Sequence, residues 1–203
     1  MTPGRMNDAQ ETVLLVDADD RPVGSAGKLA AHSEGLRHRA LSVIVSDGAG
    51  RMLLQKRAAG KYHSAGLWTN TCCSHPRLGE TIEAAAARRL EEEMGFRCPL
   101  RKLFVTSYRG EVGQGCIEDE VVHVFGGRYE GPIAPDPQEV ESYRWTHPEE
   151  LKAAVRQAPE DYTIWFKLYI QRFAEVILDP KRSWRQGGKR GVDGPPSPCG
   201  SSM

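Results

Sequence analysis

Residues 80–94, ETIEAAAARRLEEEM, change the period of the chain. Ile82, Ala86, Leu90 and Met94 recur every four positions with alanines between them, which gives an α-helix one apolar face. Gly95 follows as a helix stop. The opposite face carries Arg88, Arg89, Glu91, Glu92 and Glu93 and reads as a solvated charged surface.

Strand-like sequence lies on both sides of this helix. ETVLLVDADDRPVGSAGK reads as two short strands about a turn at Asp19 and Asp20, the second ending near Lys28. RALSVIVSDGAGRMLLQKR predicts a hairpin, with apolar runs 41–45 and 52–54 around Asp47-Gly48-Ala49-Gly50. Beyond the helix, LRKLFVTSYRG, EDEVVHVFGGRYE and VESYRWT return to strand composition; Pro148 then opens a helix, and a last one is expected from about Tyr162 to Leu178. No regular βαβ alternation is present, which predicts an α+β fold with a mixed β-sheet flanked by helices.

The expected organisation is a flexible N-terminus over 1–10, one compact domain over 11–178, and a disordered tail over 179–203. The tail holds five glycines and four prolines with almost no apolar periodicity, too little to offset its ordering entropy.

Lysine plus arginine equals aspartate plus glutamate at 27 each, so no bulk field favours nucleic acid or an anionic membrane. The chain start lacks the basic flank and apolar run of a signal peptide, and no stretch approaches the roughly 20 apolar residues of a membrane span. Five irregularly spaced cysteines, Cys72, Cys73, Cys98, Cys116 and Cys199, suit a reducing compartment rather than a disulfide framework. A cytoplasmic location is expected.

Chemistry-bearing residues cluster in TNTCCSHP and EDEVVHVF. Cys73 and His75 are two apart, as are Glu118 and Glu120, so in extended chain each pair projects to one face. Cys72 then points the other way, into packing. His32 and His38 lie just before the strong hairpin. One histidine alone is more often a surface or satisfied core residue, but three imidazoles with two carboxylates form a ligand set suited to Mn²⁺ or Zn²⁺, with Mg²⁺ possible.

The helix region SHPRLGETIEAAAARRLEEEMGF resembles the Nudix box: Glu80, Arg88, Leu90, Glu92, Glu93 and Gly95 match it. Ser74 stands where the first glycine belongs, and Arg89 replaces a glutamate of the metal-binding cluster of the Nudix hydrolases. Positions 89, 92 and 93 are helix neighbours, so Arg89 turns a formal charge of minus three into minus one. It is expected to pair with phosphate oxygens and to weaken hydrolysis.

Together with AAH, RHRA, TNTCCSHP, SYRG and EDEVVHVF, the altered box resembles the type I isopentenyl diphosphate isomerases, from about Lys28 to Trp165. The resemblance implies a divalent metal on His32, His38, His75, Glu118 and Glu120. It also implies a catalytic pair of Cys73 and Glu120. A Mg²⁺ ion would bridge the substrate diphosphate to Glu93 and to the main-chain carbonyl of Cys73. Lys28, Arg57, Lys61 and Arg89 match basic residues near the diphosphate, while Tyr108 and Trp165 match aromatic residues near the reacting carbons. Trp165 fits a core position on an amphipathic helix equally well.

The implied reaction exchanges isopentenyl and dimethylallyl diphosphate. An unactivated alkene is protonated first, giving a tertiary carbocation, so the site needs an acid, a base and protection from water. Residue types leave open which of Cys73 and Glu120 is the acid. The expected partner is a small allylic or homoallylic diphosphate, with no nucleic acid and no membrane, and the protein is expected to be a monomer or weak homodimer. Two other readings fit the box: a Nudix hydrolase of a nucleoside diphosphate derivative, and a non-catalytic diphosphate-binding module.

Overall fold

A computed structural model describes residues 10–178. Residues 1–9 and the tail from 179 to 203, with its expected disorder and Cys199, lie outside the described residues. In chain order the elements are β1 (Thr12–Val16), β2 (Pro22–Gly27), α1 (Lys28–Glu34), β3 (His38–Ser46), β4 (Met52–Arg57), β5 (Trp68–Thr69), β6 (Cys72–Ser74), α2 (Ile82–Met94), β7 (Leu100–Gly113), β8 (Cys116–Arg128), β9 (Val140–Thr146), α3 (Pro148–Gln157) and α4 (Ile164–Ile177).

The described strands form one mixed sheet in which β3 is central. β3 runs parallel to β8 from His38↔Glu120 to Ser46↔Arg128 and antiparallel to β6 on its other side. The opening hairpin β1–β2 forms as expected, from Thr12↔Gly27 to Val16↔Pro22. The β3–β4 hairpin is a correction in part. Its turn is present, with Oδ1 of Asp47 accepting from the amides of Ala49 and Arg51, but the ladder stops after Ser46↔Met52. The strands part because β8 and β6 take both edges of β3, while β9 and β5 take those of β4.

Strand alternation divides the core. Leu41, Val43, Val45 and Cys72 pack with Ala85, Ala86, Leu90 and Met94 of α2, so the four-residue stripe forms the buried helix face as expected, with Ile82 at its edge. Ala40, Ile44, Val122 and Val124 pack on the other face with Trp165, Phe166 and Tyr169 of α4. The sheet is thus sandwiched between α2 and α4.

Thr81 caps α2 by accepting from the amide of Ala84, and Gly95 ends it at φ 75°, where a Cβ would meet the carbonyl of Ala134. The last helix begins at Ile164, not Tyr162. A short 3₁₀ turn, Pro159–Asp161, holds Tyr162 outside it, and the Thr163 hydroxyl is drawn away to donate to Oγ1 of Thr69. Among the described residues no helix is long and apolar enough to cross a membrane.

Candidate active site

Ladder register assembles the site. Tyr108 on β7 pairs with Glu120 on β8, and Glu120 pairs with His38 on β3, which sets three candidate site residues in a row across the sheet. Four residues along β3, Ser42 pairs with Cys73 on β6. Cys73 and Glu120 therefore stand on the two strands that flank β3, on its α4 side. They line a cleft together with His75, Tyr108, Glu118 and Trp165.

Strand alternation separates the adjacent cysteines as expected. Cys72 is fully buried against α2, whereas Cys73 is half-buried and packs on the α4 side. The Cys73 thiol donates to Oδ1 of Asn70 at 3.1 Å and lies 3.5 Å from the Ser42 hydroxyl. Burial pushes Cys73 up to about 11, so it holds its proton at neutral pH.

Three expected histidines and one carboxylate converge: ligand atoms of His32, His38, His75 and Glu120 all lie within 4.8 Å of one another. Nδ1 of His32 is 2.7 Å from the carbonyl oxygen of Lys28, and Nδ1 of His38 is 2.7 Å from that of Leu36. A carbonyl only accepts, so both rings carry the proton on Nδ1 and present a lone pair at Nε2. Those lone pairs meet other acceptors. Nε2 of His32 is 3.2 Å from Oε2 of Glu118, and Nε2 of His38 is 3.2 Å from Nε2 of His75 and 3.6 Å from Oε1 of Glu120. Oε2 of Glu118 is a buried oxygen without a hydrogen-bond partner. Converging lone pairs repel unless a cation or protons sit among them, so these residues fit a divalent metal ion.

The electrostatics follow the same geometry. Burial and the neighbouring Glu120 charge raise Glu118. Glu120 is itself held well below the usual range, because the neighbouring His38 and His75 rings favour its charged form by more than burial disfavours it. Burial would lower His38, but Glu120 reverses the sign and raises it. Tyr108 is raised well above its usual value by burial and the Glu120 charge, so its hydroxyl stays protonated and donates to Oε2 of Glu120 at 2.7 Å.

The basic residues come to the cleft too, but mostly with carboxylate partners. Lys28 is 2.6 Å from Glu11, and Lys61 is 2.6 Å from Glu139. Arg89 and Glu93 correct the expectation of a solvated helix face, since both are buried. The Arg89 guanidinium meets Glu92 at 2.7 Å, Glu93 at 2.7 Å and Glu139 at 2.9 Å. Only its Nε remains as a buried donor without a partner, and the same holds for Nε of Arg57. Glu93 is not on the cleft wall; its oxygens accept from Arg89 and from Gln55. Trp165 is both core and cleft wall: its indole N–H donates to Oγ1 of Thr69 at 2.8 Å, Arg57 lies over its ring at 5.5 Å, and the Tyr108 ring is 6.5 Å away.

Several site residues were not expected from the sequence. His63 lines the cleft with Nε2 3.2 Å from Oε1 of Glu118, Tyr62 places its hydroxyl 3.3 Å from Nε2 of His32, and Glu139 and Gln55 hold Arg89 and Glu93. His63 and Tyr62 sit in the loop KYHSAG, where no periodicity orients a side chain.

The NUDIX domain model matches residues 36–166. Isopentenyl-diphosphate Delta-isomerase 2 of Photorhabdus laumondii subsp. laumondii is 52% identical over 160 residues, covering 79% of this chain and 90% of that protein. Isopentenyl-diphosphate Delta-isomerase of Burkholderia multivorans is 49% identical over 169 residues, covering 83% and 96%. Among solved structures, the fold is shared with DR0079 from Deinococcus radiodurans, at TM-score 0.66 and 20% identity over 80% of this chain and 98% of that one. It is also shared with a MutT NUDIX hydrolase from Burkholderia pseudomallei, at TM-score 0.54 and 21% identity over 68% and 98%. With the family match spanning most of the described residues and identities near one half over nearly whole relatives, the chain belongs to the NUDIX domain family and, within it, to the isopentenyl-diphosphate Delta-isomerases.

Proposed function

We propose that the chain interconverts isopentenyl diphosphate and dimethylallyl diphosphate by adding a proton to the alkene and removing another. One observation carries this reading: a thiol that keeps its proton and a carboxylate held in its ionised form share one cleft, on the two strands flanking β3. Proton transfer to the terminal carbon of the alkene generates a tertiary carbocation at its neighbour, and loss of a proton from the carbon on the other side of that cation completes the shift. Cys73 and Glu120 form the acid–base pair, with Tyr108 fixing the carboxylate through its hydroxyl. Each turnover exchanges their protonation states, and solvent protons reset them.

The indole of Trp165 and the ring of Tyr108 offer negative π faces to the cation, worth roughly 0.5 to 2 kcal/mol for such a contact. Burial of these rings keeps water from capturing the carbocation. Lys28, Arg57, Lys61 and Arg89 line the cleft, and their positive charges support a diphosphate there.

A divalent cation, Mn²⁺ or Zn²⁺ with Mg²⁺ as the third choice, on His32, His38, His75, Glu118 and Glu120 would supply a fixed positive charge that orients the Glu120 carboxylate and tunes its acidity. Glu93 and the carbonyl of Cys73 would hold Mg²⁺ with the diphosphate, with Glu93 exchanging its present partners. Arg89, among Glu92, Glu93 and Glu139, puts a built-in cation where a hydrolase pattern has another carboxylate. That arrangement disfavours the extra metal ions of hydrolysis.

The test is incubation of purified protein with isopentenyl diphosphate and Mg²⁺. Dimethylallyl diphosphate should form without phosphate release; released phosphate without isomer would contradict the proposal.

A further inference from the structure

We propose that His63 is a positioning residue that donates Nε2–H to Oε1 of Glu118 and so aims the other carboxylate oxygen, Oε2, into the metal-ligand cluster. The proposal rests on the metal reading above.

Glu118 presents two different faces. Oε2 lies 3.2 Å from Nε2 of His32 and 3.9 Å from Nε2 of His38, with no hydrogen-bond partner. Oε1 turns away to Nε2 of His63 at 3.2 Å. One oxygen is thus left for an ion and the other is met by a fourth imidazole.

Tautomers separate His63 from His32 and His38. The latter two have Nδ1 tied to backbone carbonyls, which leaves lone pairs at Nε2. Nδ1 of His63 instead lies 3.3 Å from the Ser64 hydroxyl, which can donate. A chain from Ser64 O–H to Nδ1, and from Nε2–H to Glu118, satisfies all three groups. Ser64 is held at φ 50°, a conformation uncommon for a residue with a side chain.

The backbone around His63 is also fixed. Its carbonyl accepts from Nη2 of Arg57 at 3.1 Å, and its ring stands edge-on to Trp165 at 6.1 Å. His32, His63 and Glu118 have ligand atoms within 4.8 Å of one another and form a second potential cation group. That group shares Nε2 of His32 with the first, and one lone pair serves one ion. His63 is therefore assigned to the outer side of the same centre, where partners of ligating carboxylates change metal affinity by roughly 10–100-fold.

The test titrates chelator-stripped protein with Co²⁺ and follows its visible absorption. His63→Leu, similar in size but without a donor, should weaken Co²⁺ binding by about 10–100-fold and leave the band positions unchanged. His63→Gln restores an N–H donor and should recover most of the affinity. Equal affinity in His63→Leu and wild type, or a glutamine variant as weak as leucine, overturns the proposal. Shifted bands in His63→Leu also overturn it, by making His63 a ligand. If His63→Leu does not fold, Ser64→Ala decides: affinity should drop severalfold, and unchanged affinity contradicts the chain. Wild-type protein that takes up no Co²⁺ overturns the metal reading itself, a result distinct from the others.

Discussion

The hydroxyl of Tyr108 lies 2.7 Å from Oε2 of Glu120, its register partner on the neighbouring strand. Ladder pairing fixes the two backbones, and burial keeps the phenol protonated, so the hydroxyl donates to a carboxylate. A hydrogen bond to a charged group contributes about 1.5–3 kcal/mol. Tyr108→Phe should therefore lower kcat by roughly 10- to 150-fold with an unchanged circular dichroism spectrum. Unaltered kcat would assign the bond to structure alone.

The adjacent cysteines should part company in mutagenesis. Cys73→Ala removes the cleft thiol and should abolish turnover while the protein stays folded. Cys72 is fully buried against α2, so Cys72→Ala should keep most activity and lose about 0.5–3 kcal/mol of stability. Kinetics and urea denaturation on both variants distinguish the roles, and inactivity of the Cys72 variant alone would reverse them.

Arg89 offsets Glu93 and Glu139, which are as buried as it is. Removing one member of such a cluster leaves uncompensated buried charge and costs about 3–5 kcal/mol. Arg89→Gln should lower the denaturation midpoint accordingly. Added Mg²⁺ should return part of the loss if Glu93 holds that ion. A variant as stable as wild type would show that the carboxylates are satisfied without the guanidinium.

In chelator-treated protein the titrating groups predict a stability maximum near neutral pH, since His38, raised by Glu120, loses its contribution as pH climbs above 6.5. Burial pushes His75 down to about 3 and His63 to about 2, from 6.5. The unfolded chain binds protons at these rings that the folded chain refuses, so stability should decline as pH falls below 6.5. Cys73 shifts the other way, from 9.0 up to about 11 by burial. The unfolded chain then releases its thiol proton first, and stability should fall again above pH 9. Denaturant midpoints between about pH 5 and 10 check both limbs; a midpoint that rises on acidification below 6.5 contradicts the first.

Period and spacing were enough to place much of this architecture in the sequence. The four-residue stripe located α2, and two-residue spacing put Cys73 with His75 and Glu118 with Glu120 beside one cleft. Long-range pairing was not legible: nothing local in RALSVIVSDGAGRMLLQKR says that β8 and β6 take both edges of β3 and shorten the hairpin. A helical wheel likewise makes Arg89 and Glu93 appear solvated. What buries them is Glu139 and Gln55, brought in from elsewhere in the chain. His63 escaped notice because its loop has no period to orient it, and a lone histidine carries little weight without its neighbours in space.

In the proposed reaction Cys73 and Glu120 pass protons to and from an alkene. Turnover of isopentenyl diphosphate in deuterium oxide, with the product read by mass spectrometry and NMR, tests that proton transfer. Deuterium is expected in the new methyl group of dimethylallyl diphosphate for wild-type protein, and none above background for Cys73→Ala or Glu120→Gln. Isomerisation that incorporates no solvent deuterium, or that persists in both variants, would contradict it.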